Sequence, residues 1–176
     1  MNNKINLARG RALDLSETII MGIVNVTPDS FSDGGQFFNI TAALKHAMQL
    51  LDDGATILDI GGESTRPGAP DVTLEDELQR VIPIIKAIRE QSDCVISIDT
   101  SKSEVMRQAI EAGADIVNDV RALQEPSALE VVAQYPDVVV CLMHMQGQPR
   151  SMQNDPHYND LASEINDFFN QRIAAC

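Results

Sequence analysis

The chain has 176 residues, 44% of them apolar and only 4% aromatic, with 26 acidic against 13 basic side chains and a formal charge of −13. That length supports one domain with its own core and is short of the roughly 250 residues of a typical (β/α)8 barrel. The acidic excess argues against a nucleic-acid partner, which would need Lys and Arg to neutralise phosphates, and no apolar run approaches the roughly 20 residues of a membrane span.

In chain order, Met1–Leu7 lacks the apolar core of a secretion signal. Ile5 to Leu15 alternates weakly around Arg9-Gly10-Arg11, which suits a hairpin covering the floor of a barrel. The run 19–25 reads as a first buried strand that ends in an amide, Asn25. Residues Asn25 to Gly34 then pack two carboxylates, three hydroxyls, a proline and an aromatic ring into one loop. Loops on a rigid scaffold are where binding and catalytic groups concentrate, so this is a candidate site. Leu44, Ala47, Met48 and Leu51 recur at helical spacing, with Thr41 expected as N-cap and Gly54 as the stop.

A second strand, 56–61, is interrupted by Asp59 and leads into another dense polar loop, Gly61 to Gly68. Leu74, Leu78, Val81, Ile82, Ile85 and Ile88 form a helical stripe, begun by Thr73 with Asp76 three residues on and crossed by Pro83, which would kink it. Strands are expected at 94–99, 115–119 and 138–143. A final stripe, Leu161, Ile165, Phe168, Phe169 and Ile173, reads as ordinary core packing. Gly54-Ala-Thr-Ile-Leu-Asp59 and Gly113-Ala-Asp-Ile-Val-Asn118 echo one another: glycine ends a helix, and a short strand ends in a polar group. Such alternation argues an α/β fold with a parallel sheet covered by helices. Asn25, Asp59, Asp99, Asn118 and His144 finish the strands, and polar groups gathered there mark the active face of a TIM barrel. Cys94, Cys141 and Cys176 are odd in number and widely spaced, which reads as reduced thiols in a cytoplasmic protein.

The two polar loops, with Ile96-Ser-Ile-Asp-Thr-Ser-Lys102, Ile116-Val-Asn-Asp119 and Cys141-Leu-Met-His-Met-Gln-Gly147, resemble the signatures of the dihydropteroate synthase family. The resemblance covers nearly the whole chain and the first part of the family's (β/α)8 barrel, about five βα units with the N-terminal hairpin in a single domain. It implies condensation of 6-hydroxymethyl-7,8-dihydropterin pyrophosphate with p-aminobenzoate, release of pyrophosphate, and a sulfonamide target that is usually a homodimer. It assigns Asp99 and Asn118 to the pterin, Asn25 to Mg2+, and Met143 to the pterin face or the core. It makes Thr27 to Phe37 and Ser64 to Pro70 two loops that close over the site. Phe31 and Pro67 would wall the p-aminobenzoate ring, Ser64, Thr65 and Arg66 would meet its polar ends or the pyrophosphate, and Asp33 would face the carbon that loses pyrophosphate. His144 stays open between a core hydrogen bonder and a group at the site's edge. The family's later pterin-binding aspartate, strand-end lysine and Arg-x-His pair have no counterpart in these residues. The expectation is therefore that the chain alone is inactive. Two other readings are a non-catalytic barrel fragment that binds pterin weakly and a relative of the pterin-dependent methyltransferases. The second has no use for Phe31 or for Ser64 to Pro70.

Overall fold

Each apolar run is followed by a segment able to cross back over a sheet as a helix, which is the connection that parallel strands require. The computed structural model describes residues 3–27, 35–64, 71–149 and 151–176, and for 35–39 the backbone only. A hairpin of β1 (Lys4–Asn6) and β2 (Ala12–Asp14) comes first. Then follow β3 (Met21–Asn25), α1 (Gly35–Asp52), β4 (Ile57–Gly61), α2 (Leu74–Gln91), β5 (Val95–Asp99) and α3 (Ser103–Ala112). The described chain closes with β6 (Ile116–Asp119), α4 (Ala128–Val132), β7 (Val139–Leu142) and α5 (Leu161–Ala175). Strands β3 to β7 pair in sequential order as one parallel sheet, which leaves β3 and β7 as edges among the described residues.

Register sorts the side chains. Val24, Leu58, Ile60, Ile96, Ile98 and Val117 turn to the helix layer and are buried against Val81, Ile84, Ile85 and Ile88 of α2 and Val105, Met106 and Ala109 of α3. Each such side chain contributes roughly 1.5–3 kcal/mol, so this layer supplies most of the driving force. On the opposite face the lowest row is apolar: Ile57 and Val95, with Ile116 one row above beside Ser97, pack with Leu7 and Leu13 of the hairpin. The hairpin thus covers the floor, as its weak alternation suggested. Its turn is made by Arg9 (φ 60°) and Gly10 (φ 73°).

One buried carboxylate ties floor to sheet. Asp115, fully buried, receives Arg11 from the hairpin and Arg89 Nη2 from α2 at 2.6 Å, and accepts the Ile96 backbone N–H at 3.1 Å. Arg89 also donates to the carbonyls of Gly113 (2.9 Å) and Cys94 (2.5 Å). Gly113 holds φ at 126°, and a Cβ there would stand 2.8 Å from Arg89 Cγ, so its lack of a side chain is required twice over.

Four expectations change. Helix α1 begins at Gly35, so Thr41 lies inside it rather than capping it; the stretch between carries no proline, and the helix extends back to the glycine. Asp59 sits mid-strand, two residues before β4 ends, while β7 stops at Leu142, short of His144. The α5 stripe is not core: no residue of that helix is buried, and Leu161 and Ile173 are 55% and 65% exposed. The helix is held instead by Arg172, which donates to the carbonyls of Ala122 (2.7 Å) and Leu123 (3.0 Å). Tyr158 is half-buried beside His144. The Thr73 cap is present, accepting from Asp76 N at 3.1 Å, and α2 runs unbroken through Pro83.

Replacing Arg89 by Met would strip one partner from a buried carboxylate. The expected loss is roughly 3–5 kcal/mol, read as a lower urea midpoint with unchanged slope. A loss below about 1 kcal/mol, the range of exposed pairs, would contradict this role for Asp115.

Candidate active site

Above the apolar floor the inner face turns polar within four residues. Pairing aligns Asp59 with Ser97 in a middle row, and Asn25, Gly61, Asp99, Asn118 and Cys141 in a top row. Because partners in register share a face, four of the five strand ends deliver polar side chains to one row. Gly61 opens the row: a Cβ there would stand 3.4 Å from Asn25 Oδ1 and 3.6 Å from Asp99 Oδ2, so both oxygens converge over a missing side chain.

Asn118 donates through Nδ2 to Asp59 Oδ2 at 3.1 Å, which orients its amide and leaves the amide oxygen and the second N–H for other partners. Beneath, Asp59 Oδ1 and Ser97 Oγ are buried with no hydrogen-bond partner among the described residues. Two adjacent unsatisfied polar atoms are costly unless water or a ligand reaches them. Asp119, fully buried, accepts from Ser101 Oγ (2.5 Å), Arg121 N (2.9 Å) and Leu123 N (2.7 Å), and so shapes the loop beyond β6.

Carboxylates crowd this end of the sheet. Burial raises the pKa of Asp99 to about 7, and the neighbouring charges of Asp59, Asp119, Glu77 and Glu63 add to the effect. Burial with Asp59 and Asp99 likewise pushes the Cys141 thiol up. A cavity of about 720 Å³ opens over β5, lined among others by Glu63, Ser64, Asp99, Lys102, Arg121 and Gln148.

Of the sequence-assigned residues, Asn25, Asp99 and Asn118 come together in the top row, and Ser64 joins Asp99 at the cavity. Met143 is half-buried just past β7, its N–H directed to the Asp119 carbonyl at 3.4 Å. Phe31, Asp33, Thr65, Arg66 and Pro67 lie outside the described residues. The His144 ring packs edge-on to Phe168 at 4.8 Å and beside Tyr158, which makes it a packing residue of α5. Sequence reasoning missed Ser97, the loop role of Asp119 and the pairing of Lys102 with Glu63 and Glu77. Their one signal was polarity inside an otherwise apolar motif.

A parallel βα sheet with a row of polar strand ends, of which Asp99 lines a cavity, defines a ligand-binding barrel face, and its family can be given. The model of the pterin binding enzymes matches residues 21–176, and the chain belongs to that family. Over 169 residues it is 54% identical to the dihydropteroate synthase of Escherichia coli (strain K12), covering 96% of this chain and 60% of the relative. The Yersinia pestis dihydropteroate synthase, solved in a sulfonamide drug complex, is 53% identical with a TM-score of 0.87, covering 96% of this chain and 62% of that one. The Xanthomonas albilineans dihydropteroate synthase, solved with 4-aminobenzoic acid, is 49% identical with a TM-score of 0.88, over 99% and 62%. The chain thus spans about 60% of the length of the curated relatives it matches. No helix among the described residues is long and apolar enough to cross a membrane.

Asp99 keeps its proton to higher pH in the native state than in the unfolded chain. The stability linked to that proton is complete below its ordinary pKa of 3.8 and is lost as pH climbs through about 7. Asp99→Asn should therefore stabilise the fold by a few kcal/mol at about pH 8 and have little effect at about pH 4, measured by thermal unfolding across that range. Parallel pH profiles for the two proteins would contradict the raised pKa.

Proposed function

We propose that this chain carries pterin-binding and catalytic groups of a dihydropteroate synthase. The reaction joins 6-hydroxymethyl-7,8-dihydropterin pyrophosphate to p-aminobenzoate: the carbon–oxygen bond to pyrophosphate breaks, a carbon–nitrogen bond forms, and the amine releases a proton. The observation that carries this reading is the adjacency of Asp99 and Asn118 in the top row, where Asp99 also lines the cavity. A pterin presents N–H donors and a carbonyl acceptor along one edge. An ionised carboxylate accepts from such donors, and a carboxamide complements both kinds of group. Ser64 beside the same cavity fits a second substrate arriving from the β4 side, and the Xanthomonas albilineans relative was solved with 4-aminobenzoic acid.

In this reading Met143 packs toward the pterin or the core, Phe31 and Pro67 flank the p-aminobenzoate ring, and Ser64, Thr65 and Arg66 meet its polar ends or the pyrophosphate. Asp33 stabilises the positive charge that develops on the carbon as pyrophosphate leaves. Asn25 is the proposed Mg2+ ligand. Its exposed amide oxygen, facing Asp99 across Gly61, is a hard donor of the kind that cation takes. No cluster of three or more His, Cys, Asp or Glu able to hold a metal occurs among the described residues, and Mg2+ typically uses one or two protein oxygens with substrate phosphates. When bound, the ion would neutralise pyrophosphate oxygens in a protein of net charge −13. A cytoplasmic location and a homodimeric assembly belong to the same reading; all three cysteines are unpaired, in keeping with a reducing compartment.

Three variants separate the roles in a barrel completed with the C-terminal segment of the Escherichia coli relative. Asp99→Ala should weaken pterin binding by about ten- to a hundredfold and leave p-aminobenzoate affinity nearly intact, measured by titration calorimetry. Asn25→Ala should raise the Mg2+ needed to bind the pyrophosphate substrate without affecting a phosphate-free pterin. Asp33→Ala should lower turnover by about a hundredfold with little change in substrate affinity. Unchanged pterin affinity in Asp99→Ala would overturn the pterin assignment.

A further inference from the structure

The ammonium of Lys102 stands at the wrong end of a helix. The residue is the N-cap of α3, where the backbone dipole disfavours a cation and Ser, Thr, Asp or Asn is the usual choice, and it makes no side-chain capping bond. Two carboxylates hold it there. Lys102 Nζ bonds Glu63, which directly precedes Ser64 beyond β4, and Glu77 of α2 at 2.5 Å. Glu77 is 1% exposed, and its other oxygen accepts from Thr100 Oγ1 at 2.6 Å. Burial works against the charge on Lys102, but the bonds to Glu63 and Glu77 outweigh it and raise the pKa.

Gly62, the residue before Glu63, is pressed onto the same helix. A Cβ there would stand 2.8 Å from Val81 Cγ1 and 3.0 Å from Glu77 Cγ. Arg80 Nη1 donates to its carbonyl at 2.8 Å. The chain leaving β4 is thus attached to α2 by steric contact, by a hydrogen bond and by the Lys102 bridge. Of these, only the bridge also reaches the segment leaving β5, three residues beyond Asp99.

We infer that Lys102 is a positioning residue: it holds Glu63, and through it Ser64, at a fixed place relative to Asp99, so that the two substrates meet in register. This rests on the reading that Ser64 serves p-aminobenzoate. Without the bridge, Glu63 and Glu77 repel one another and Glu63 turns to water. Asp99 stays where β5 puts it, so the pterin end is spared.

The test uses the completed barrel and steady-state kinetics. Lys102→Met should raise the KM for p-aminobenzoate about tenfold or more, with pterin affinity within about twofold of the parent. Lys102→Arg, whose fork can bridge the same two carboxylates, should restore most of the loss. The double variant Lys102→Met/Glu77→Gln removes the buried unpaired charge, so the raised KM should persist in a well-folded protein. A parental KM in Lys102→Met beside a raised KM in Ser64→Ala overturns the positioning role alone. A parental KM in Ser64→Ala overturns the reading on which it rests. A loss of pterin affinity equal to the rise in KM, unrelieved by Arg, also overturns the proposal, since it marks general damage to the fold.

Discussion

Four parallel pairings hold the five strands in a common phase, and every feature of the inner face follows from that phase. Because side chains alternate, one register puts Ile57 and Val95 in the floor, Asp59 beside Ser97 above it, and Asn25, Gly61, Asp99 and Asn118 in the row above that. A slip of one residue in any strand would exchange its polar row for residues now packed against the helices. The helix layer guards against this, since Leu58, Ile60, Ile96, Ile98 and Val117 would have to leave a fully buried environment. The same burial that drives folding therefore locates the chemistry.

Charge is distributed by the same logic. Asp115 at the floor has two guanidinium partners, whereas Asp59 and Asp99 nearer the strand ends have no comparable cation among the described residues. The first carboxylate binds the hairpin to the sheet. The others remain under electrostatic strain, relieved in part by the proton that Asp99 retains to about pH 7. Buried polar groups left short of partners at strand ends are what a ligand's donors can satisfy, so the arrangement trades stability for binding. Lys102 is placed so that its charge serves two carboxylates beside this region without cancelling Asp99.

Much of the architecture was legible in the residues. Apolar runs closed by glycine or by a polar group gave the strands, each one or two residues too long, and the Thr73–Asp76 spacing gave the start of α2. The weak alternation of the hairpin sufficed because Leu7 and Leu13 are the residues that bury. Asp99 and Asn118 stood out because a carboxylate and an amide closing apolar strands need partners. What could not be read was long-range: Asp115 meets Arg11 from 104 residues away and Arg89 from 26, and Lys102 meets Glu63 from 39. Glu77 looks like a solvated first-turn residue of α2 and is buried, because only the fold brings Thr100 and Lys102 over it. The α5 stripe misled for the complementary reason: helical periodicity marks an apolar face, and tertiary packing decides whether that face is covered.

The central claim is that Asp99 is the group a pterin satisfies, and the carboxyl carbon of Asp99 reports on it directly. In a 13C NMR titration of the labelled protein its midpoint should lie at about 7 without ligand. Saturating 6-hydroxymethyl-7,8-dihydropterin should lower that midpoint by at least about one unit, because the ligand's N–H groups favour the ionised form. A midpoint near the ordinary 3.8 in the free protein, or one that the pterin leaves unmoved, would contradict the account.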